Sequence, residues 1–210
     1  MKTKLSFFLI LLSASILAAD KYTDQMLKNI DLVYKAQSPE ELQSAVNTFE
    51  RIANAEKDKW EPFYYAAFGN IMLANREKEV SKKDALLNNA KVFVDKAYAI
   101  NANESELIAL EGFIYMMKVS VDPATRGQQF TMLSMQAYGK ALSINPNNPR
   151  ALALLAQMQY GTAQFFKSPT TEACTTLTKA LEKFAAEKPE NALAPLWGKG
   201  MAEGMKSKCQ

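Results

Sequence analysis

From Met26 onward, apolar residues recur every three or four positions, as in Met26, Leu27, Ile30, Val33 and Tyr34. That interval gathers them on one face of an α-helix. No stretch alternates apolar and polar residues between hairpin turns, so the pattern predicts an all-α chain. Short polar segments punctuate it. Ser38-Pro39-Glu40-Glu41 reads as a helix start, with Ser38 as N-cap, Pro39 in the first turn where its missing N–H costs nothing, and Glu41 completing a capping box. The segments 101–105, 145–149 and 188–191 are turns that end one helix and cap the next, while Asp122-Pro123 and Ser168-Pro169 mark longer loops. The predicted helices cover 22–36, 40–56, 61–76, 84–100, 105–119, 128–144, 149–164, 171–187 and 191–206. They make about four hairpins and a C-terminal helix.

The N-terminus follows a different pattern. Lys2 and Lys4 precede an apolar stretch from Leu5 to Leu12, and small residues follow at Ser13, Ala14, Ser15, Ala18 and Ala19. This is the layout of a secretory signal peptide, and the apolar part falls short of the roughly 20 residues that a membrane span needs. Residues 1–19 are therefore expected to be the leader and 20–210 a helical repeat domain, soluble after cleavage and periplasmic or secreted. No Cys stands at the cleavage region to take a lipid anchor.

Composition narrows the chemistry. Lys2 and Lys4 leave with the leader, which brings 25 basic and 22 acidic residues close to balance. A near-neutral chain with no basic face carries no electrostatic footprint for nucleic acid or anionic lipid. The chain has no His, the commonest general base and a frequent metal ligand. The acidic residues Glu40, Glu41, Glu104 and Glu106 fall in first turns of helices, where the dipole favours negative charge, and read as caps. Trp197-Gly198-Lys199-Gly200 lacks the spacing of a phosphate-binding loop and reads as helix. No catalytic, cofactor or metal site is expected, and the chain reads as a non-enzyme.

Internal repetition points further. Lys96-Ala97 followed by Ile100-Asn101-Ala102-Asn103 is echoed by Lys140-Ala141 and Ile144-Asn145-Pro146-Asn147, and Lys179-Ala180 begins a third copy. Tyr138, Ala141 and Pro146 resemble the second helix of a tetratricopeptide repeat (TPR), and Ile108, Gly112 and Tyr115 resemble its first helix. The pairs Phe63/Ala67 and Leu152/Ala156 keep two of the three first-helix positions, with Asn70 and Gln159 at the third. Phe63, Ile108 and Leu152 recur at about 44 residues, longer than the TPR period of about 34 and within the HEAT and armadillo range. Because the extra residues fall inside each hairpin, at 75–83, 119–127 and 165–170, and the turns between repeats stay short, the TPR resemblance is the better fit.

That resemblance implies a short α-solenoid of stacked antiparallel hairpins whose first helices line a concave face. In its register the face carries Tyr64, Phe68, Ile71, Ala109, Phe113, Met116, Gln157 and Tyr160, an aromatic and Met-rich lining suited to a helix or extended peptide. It lacks the Lys, Arg and Asn pattern with which some members clamp a terminal carboxylate. The implied function is a protein-interaction scaffold or adaptor of the cell envelope or secreted space. The alternative is a carrier of an apolar small molecule in the same groove. The 122–127 loop is a candidate secondary contact. Two cysteines remain, Cys174 near the start of the eighth predicted helix and Cys209 beyond the ninth. In an oxidising compartment, antiparallel packing of those helices favours a Cys174–Cys209 bond over free thiols.

The leader is open to direct reading. N-terminal sequencing of the exported protein should start at Ala19 or Asp20, whereas material starting at Met1 would indicate an uncleaved anchor.

Overall fold

The computed structural model describes residues 21–209, so the expected leader lies outside the described residues. The chain is helical at 21–35 (α1), Pro39–Ala55 (α2), Glu61–Arg76 (α3), Val80–Tyr98 (α4), Ser105–Val121 (α5), Pro123–Ile144 (α6), Pro149–Phe165 (α7), Thr171–Ala186 (α8) and Lys199–Met205 (α9), with a closing 3-10 turn at Lys206–Cys209. No strand occurs among the described residues. Residues 187–198 connect α8 to α9 without helix.

Local chemistry sets these boundaries. Ser38 and Glu41 form the reciprocal capping box on α2. Asn148 caps α7 by accepting from Ala151 N–H at 2.9 Å, with Pro149 in the first turn. Asp122 caps α6 through Thr125 N–H, so the helix starts at Pro123 and the expected loop 122–127 is wound into its first turns. The long period therefore comes chiefly from long second helices, α4 with 19 residues and α6 with 22.

The largest departure from the sequence expectation is the ninth helix, expected over 191–206 and observed only from Lys199. Pro195 is the physical reason. It offers no N–H to bond the Asn191 carbonyl and its ring collides with that carbonyl in a helix. Gly198, at φ +100°, then reverses the chain into α9, so Trp197-Gly198 is a bend and not helix.

Helices pack as successive hairpins. The first helices also touch in sequence, α3 on α5 and α5 on α7, whereas among the described residues the backbones of α2, α4, α6 and α8 do not approach one another. The stack therefore bends with its first helices inside, a TPR-like α-solenoid. Gly112 permits the tightest hairpin contact, since a Cβ there would run into the Tyr138 ring. Ser134 Oγ–H closes the same contact by donating to the Gly112 carbonyl at 2.9 Å. Ser105 Oγ–H donates to the Ala141 carbonyl at 2.9 Å within the α5–α6 hairpin and accepts from Asn148 Nδ2–H of the next repeat at 2.9 Å.

Cys174 and Cys209 form a disulfide that pins the chain end to the start of α8, across 35 positions of sequence. In the chain-entropy treatment, closing such a loop stabilises by about 3–4 kcal/mol. We expect Cys174→Ser/Cys209→Ser to lose about that much in urea unfolding of oxidised protein; an unchanged midpoint would mean that the bond holds nothing that α9 packing does not already hold.

Candidate functional site

The concave face is covered by the chain itself. Residues 187–198, with Pro189 and Pro195 among them, run without helix from the end of α8 to contacts on α3, α5 and α7, where Trp197 turns inward. The indole is only 8 % exposed. It stacks on Phe68 of α3, with centroids 5.0 Å apart and planes at 23°, and on Phe113 of α5 at 5.6 Å and 24°. Offset stacks of this kind add about 0.5–1.5 kcal/mol each beyond the area they bury.

Tyrosines hold the crossing segment from below. Trp197 Nε1–H donates to Tyr64 Oη at 2.8 Å, Leu196 N–H donates to Tyr34 Oη at 3.1 Å, and Tyr65 Oη–H donates to the Leu193 carbonyl at 2.7 Å. Tyr34 comes from α1, and Tyr64 and Tyr65 are successive residues of α3. Their rings meet edge to face, Tyr34 to Tyr65 at 6.4 Å and Tyr64 to Tyr65 at 5.2 Å. Burial pushes all three phenols above their ordinary range, so they stay neutral and serve as hydrogen-bonding hydroxyls.

Arg150 is the one buried guanidinium among the described residues. Its Nε–H donates to Glu106 Oε2 at 2.7 Å, its Nη2 pairs with Glu187 Oε1, and its Nη1 reaches the Trp197 carbonyl at 3.3 Å. The cation therefore joins α5, α7, the end of α8 and the crossing segment. Burial pushes the Glu106 carboxyl up, against the opposing pull of Arg150, and burial likewise raises Glu104. Glu106 is thus a buried ion-pair partner as well as a first-turn residue; Glu104 remains a cap, accepting from Glu106 N–H.

The expected groove residues separate into three groups. Tyr64, Phe68 and Phe113 meet around Trp197 and are buried by it. Ile71 and Ala109 are fully buried in core clusters, the latter with Ile108, Ala137, Ala141 and Ala151. Met116 is half-buried one turn beyond Phe113, and exposed Gln157 borders a gap of about 10 Å³ beside Trp197 and Met201. Tyr160 belongs instead to the C-terminal cluster, with the Lys208 ammonium 5.8 Å from its ring centre. Sequence reasoning missed Trp197, Arg150, Tyr34 and Tyr65. Arg150 did carry a signal: a cation in the first turn of a helix opposes the dipole and calls for acidic partners.

Two larger clefts are present. One of about 390 Å³ adjoins the same site, lined by the crossing segment at Glu187, Glu190 and Leu193 and by Glu104, Glu106 and Arg150. Another of about 700 Å³ lies between α1 and α2 beside Lys21, Lys28, Thr48 and Arg51. No cluster of His, Cys, Asp or Glu suited to a metal ion occurs among the described residues, and none of their helices is long and apolar enough to cross a membrane.

Among solved structures, the chain is similar to the HusA haemophore from Porphyromonas gingivalis, at 28% sequence identity and a TM-score of 0.79 over 90% of this chain and 92% of that one. It is also similar to a thermophilic TPR protein from Thermus thermophilus, at 16% identity and a TM-score of 0.57 over 88% of this chain and 89% of that one, a likeness of fold. No family model matches the chain, and no curated protein matches it.

The buried ion pair makes a pH-dependent prediction. Arg150→Met leaves Glu106 buried without its cation, which should cost about 3–5 kcal/mol at neutral pH. Glu106 already has a raised folded-state pKa, and losing Arg150 raises it further. The cost should therefore shrink as pH falls through the carboxylate range and Glu106 takes up a proton. Urea titrations at about pH 7 and about pH 4.5 read the difference, and adding Glu106→Leu should recover most of the neutral-pH loss; an equal loss at both pH values would assign Arg150 a packing role alone.

Proposed function

We propose that this chain is an exported, non-enzymatic carrier of haem or a related porphyrin, bound on the concave face of its solenoid. The observation that carries the reading is similarity to a haemophore along nearly the whole of both chains, at 28% identity. The chemistry of the face supports it. Flat aromatic rings, Phe68 and Phe113, offer stacking surface, and Arg150, already held by Glu106 and Glu187, has one donor on the Trp197 carbonyl that a ligand carboxylate could take instead. With no His in the chain, an iron ligand would be a methionine thioether, or a tyrosine that gives up its proton to the metal on binding; both types hold haem iron in proteins. Tyr34, Tyr64 and Tyr65 lie on this face, and Met72 and Met116 follow Phe68 and Phe113 by one helical turn. Export is supported by the signal-peptide pattern and by the Cys174–Cys209 bond, which persists in an oxidising compartment.

A protein-binding scaffold is the second reading. It draws on the TPR-like architecture and on Phe165 and Phe166, an edge-to-face pair at the end of α7 that is 80 % and 69 % exposed. In this reading Tyr64, Phe68 and Phe113, with Met116 and Gln157 beside them, receive a peptide only after Trp197 is withdrawn.

Titration of mature protein with haem, followed by the Soret band, tests the two together. The carrier reading expects a saturable one-to-one shift that Phe68→Ala/Phe113→Ala weakens by about tenfold or more, with helicity retained by circular dichroism. Absence of a saturable shift, with capture of an envelope protein that Phe165→Glu/Phe166→Glu abolishes, would transfer the function to the scaffold.

A further inference from the structure

We propose that residues 187–198 are a displaceable lid and that the slot filled by Trp197 is the ligand site itself, where a flat, carboxylate-bearing aromatic molecule replaces the indole on Phe68 and Phe113. The inference rests on the carrier reading and adds to it where the ligand sits and what must move.

The slot has the shape of its occupant. Two rings from neighbouring inner helices lie within 25° of the indole plane, an arrangement that receives any flat conjugated system. Its polar groups are also those that a substitute ligand would use. Lifting the lid takes the Trp197 Nε1–H from Tyr64, the Leu196 N–H from Tyr34 and the Leu193 carbonyl from Tyr65. Tyr64 is then left without a partner, and Tyr34 and Tyr65 with only each other, in an apolar setting, which is costly until something occupies them. Arg150 Nη1, which also reaches Glu187 Oε2 at 3.4 Å, loses the Trp197 carbonyl at the same moment, and the one N–H released beside the slot suits a carboxylate. Aromatic surface, hydroxyls and a cation are thus uncovered by a single movement.

The lid is built to be moved as a unit. Between 187 and 198 its one internal backbone hydrogen bond runs from Ala194 N–H to the Asn191 carbonyl. Leu196, next to the plug, is 59 % exposed and gives the lid little to lose on that side. Gly198 at φ +100° sits where the lid meets α9; a Cβ there would also come within 3.0 Å of Arg150 Cγ and Phe184 Cζ, so the bend is kept free of side chain. Both ends are fixed, one by α8 and the other through α9 and the Cys174–Cys209 bond. The segment can rise as a loop and return without the C-terminus coming loose.

Hydrogen exchange on the full mature chain, with protoporphyrin IX as the probe, tests the inference without any mutation. Peptides covering 187–198 should exchange about tenfold faster once porphyrin is bound, while α3 and α5 keep their protection. Trp197→Ala removes the plug and raises the open fraction, so it should bind protoporphyrin IX about tenfold more tightly than wild type. Porphyrin binding with the lid peptides equally or better protected, or with Trp197→Ala binding no more tightly, overturns the lid and leaves the carrier reading standing. No binding by either protein overturns the carrier reading, and the lid with it.

Discussion

Trp197 stands nearly 200 residues from the start of the chain, yet its indole sits on Phe68 and Phe113 in the first half of the solenoid and donates to Tyr64. A solenoid holds together mainly through contacts between adjacent repeats, and its ends are ordinarily its weakest parts. Here the C-terminal segment crosses back over the inner helices and bonds to α1 and α3 as well, adding long-range contacts to a fold otherwise built from local ones. Burying an aromatic ring of this size is worth several kcal/mol; truncating a buried Phe or Trp to Ala costs about 3–5 kcal/mol. The same residue that closes the concave face also organises it: Tyr64 accepts its indole N–H and Arg150 donates to its carbonyl, while Tyr34 and Tyr65 bond to Leu196 and Leu193 beside it.

Arg150 shows what keeps that arrangement in register. A buried guanidinium is tolerable only with its donors occupied, and Glu106, Glu187 and the Trp197 carbonyl occupy them from three directions. The cation reports the position of the crossing segment to α5 and α7, since moving Trp197 away leaves one donor idle. If the face opens as proposed, a carboxylate on the ligand would take that donor and a purely apolar ligand would leave it idle.

Much of this was legible in the chain. The three-and-four spacing marks the helices, Ser38-Pro39 and Asn148-Pro149 mark where two of them start, and Ile108, Gly112, Tyr138 and Ala141 mark the hairpin that the glycine lets close. Lining residues could be assigned to the inner helices by register, but whether the lining was open depended on 187–198. That stretch looks like the start of an apolar helix until Pro195 is weighed, and no helical register predicts that the residue two places later turns inward to meet α3 and α5. Asp122-Pro123 carries the opposite lesson: a pair that reads as loop serves as cap and first turn. Contacts such as Tyr65 to Leu193, 128 positions apart, have no local signature at all.

The state of Trp197 in the free protein is the direct measure of this arrangement. With Trp60→Phe, Trp197 is the remaining tryptophan, so its emission and its quenching by acrylamide report the slot alone. A seated indole, stacked and hydrogen-bonded to Tyr64, should emit at short wavelength and resist quenching until the protein unfolds. Emission and quenching like those of tryptophan in water, with the helices intact, would contradict a concave face closed by its own chain.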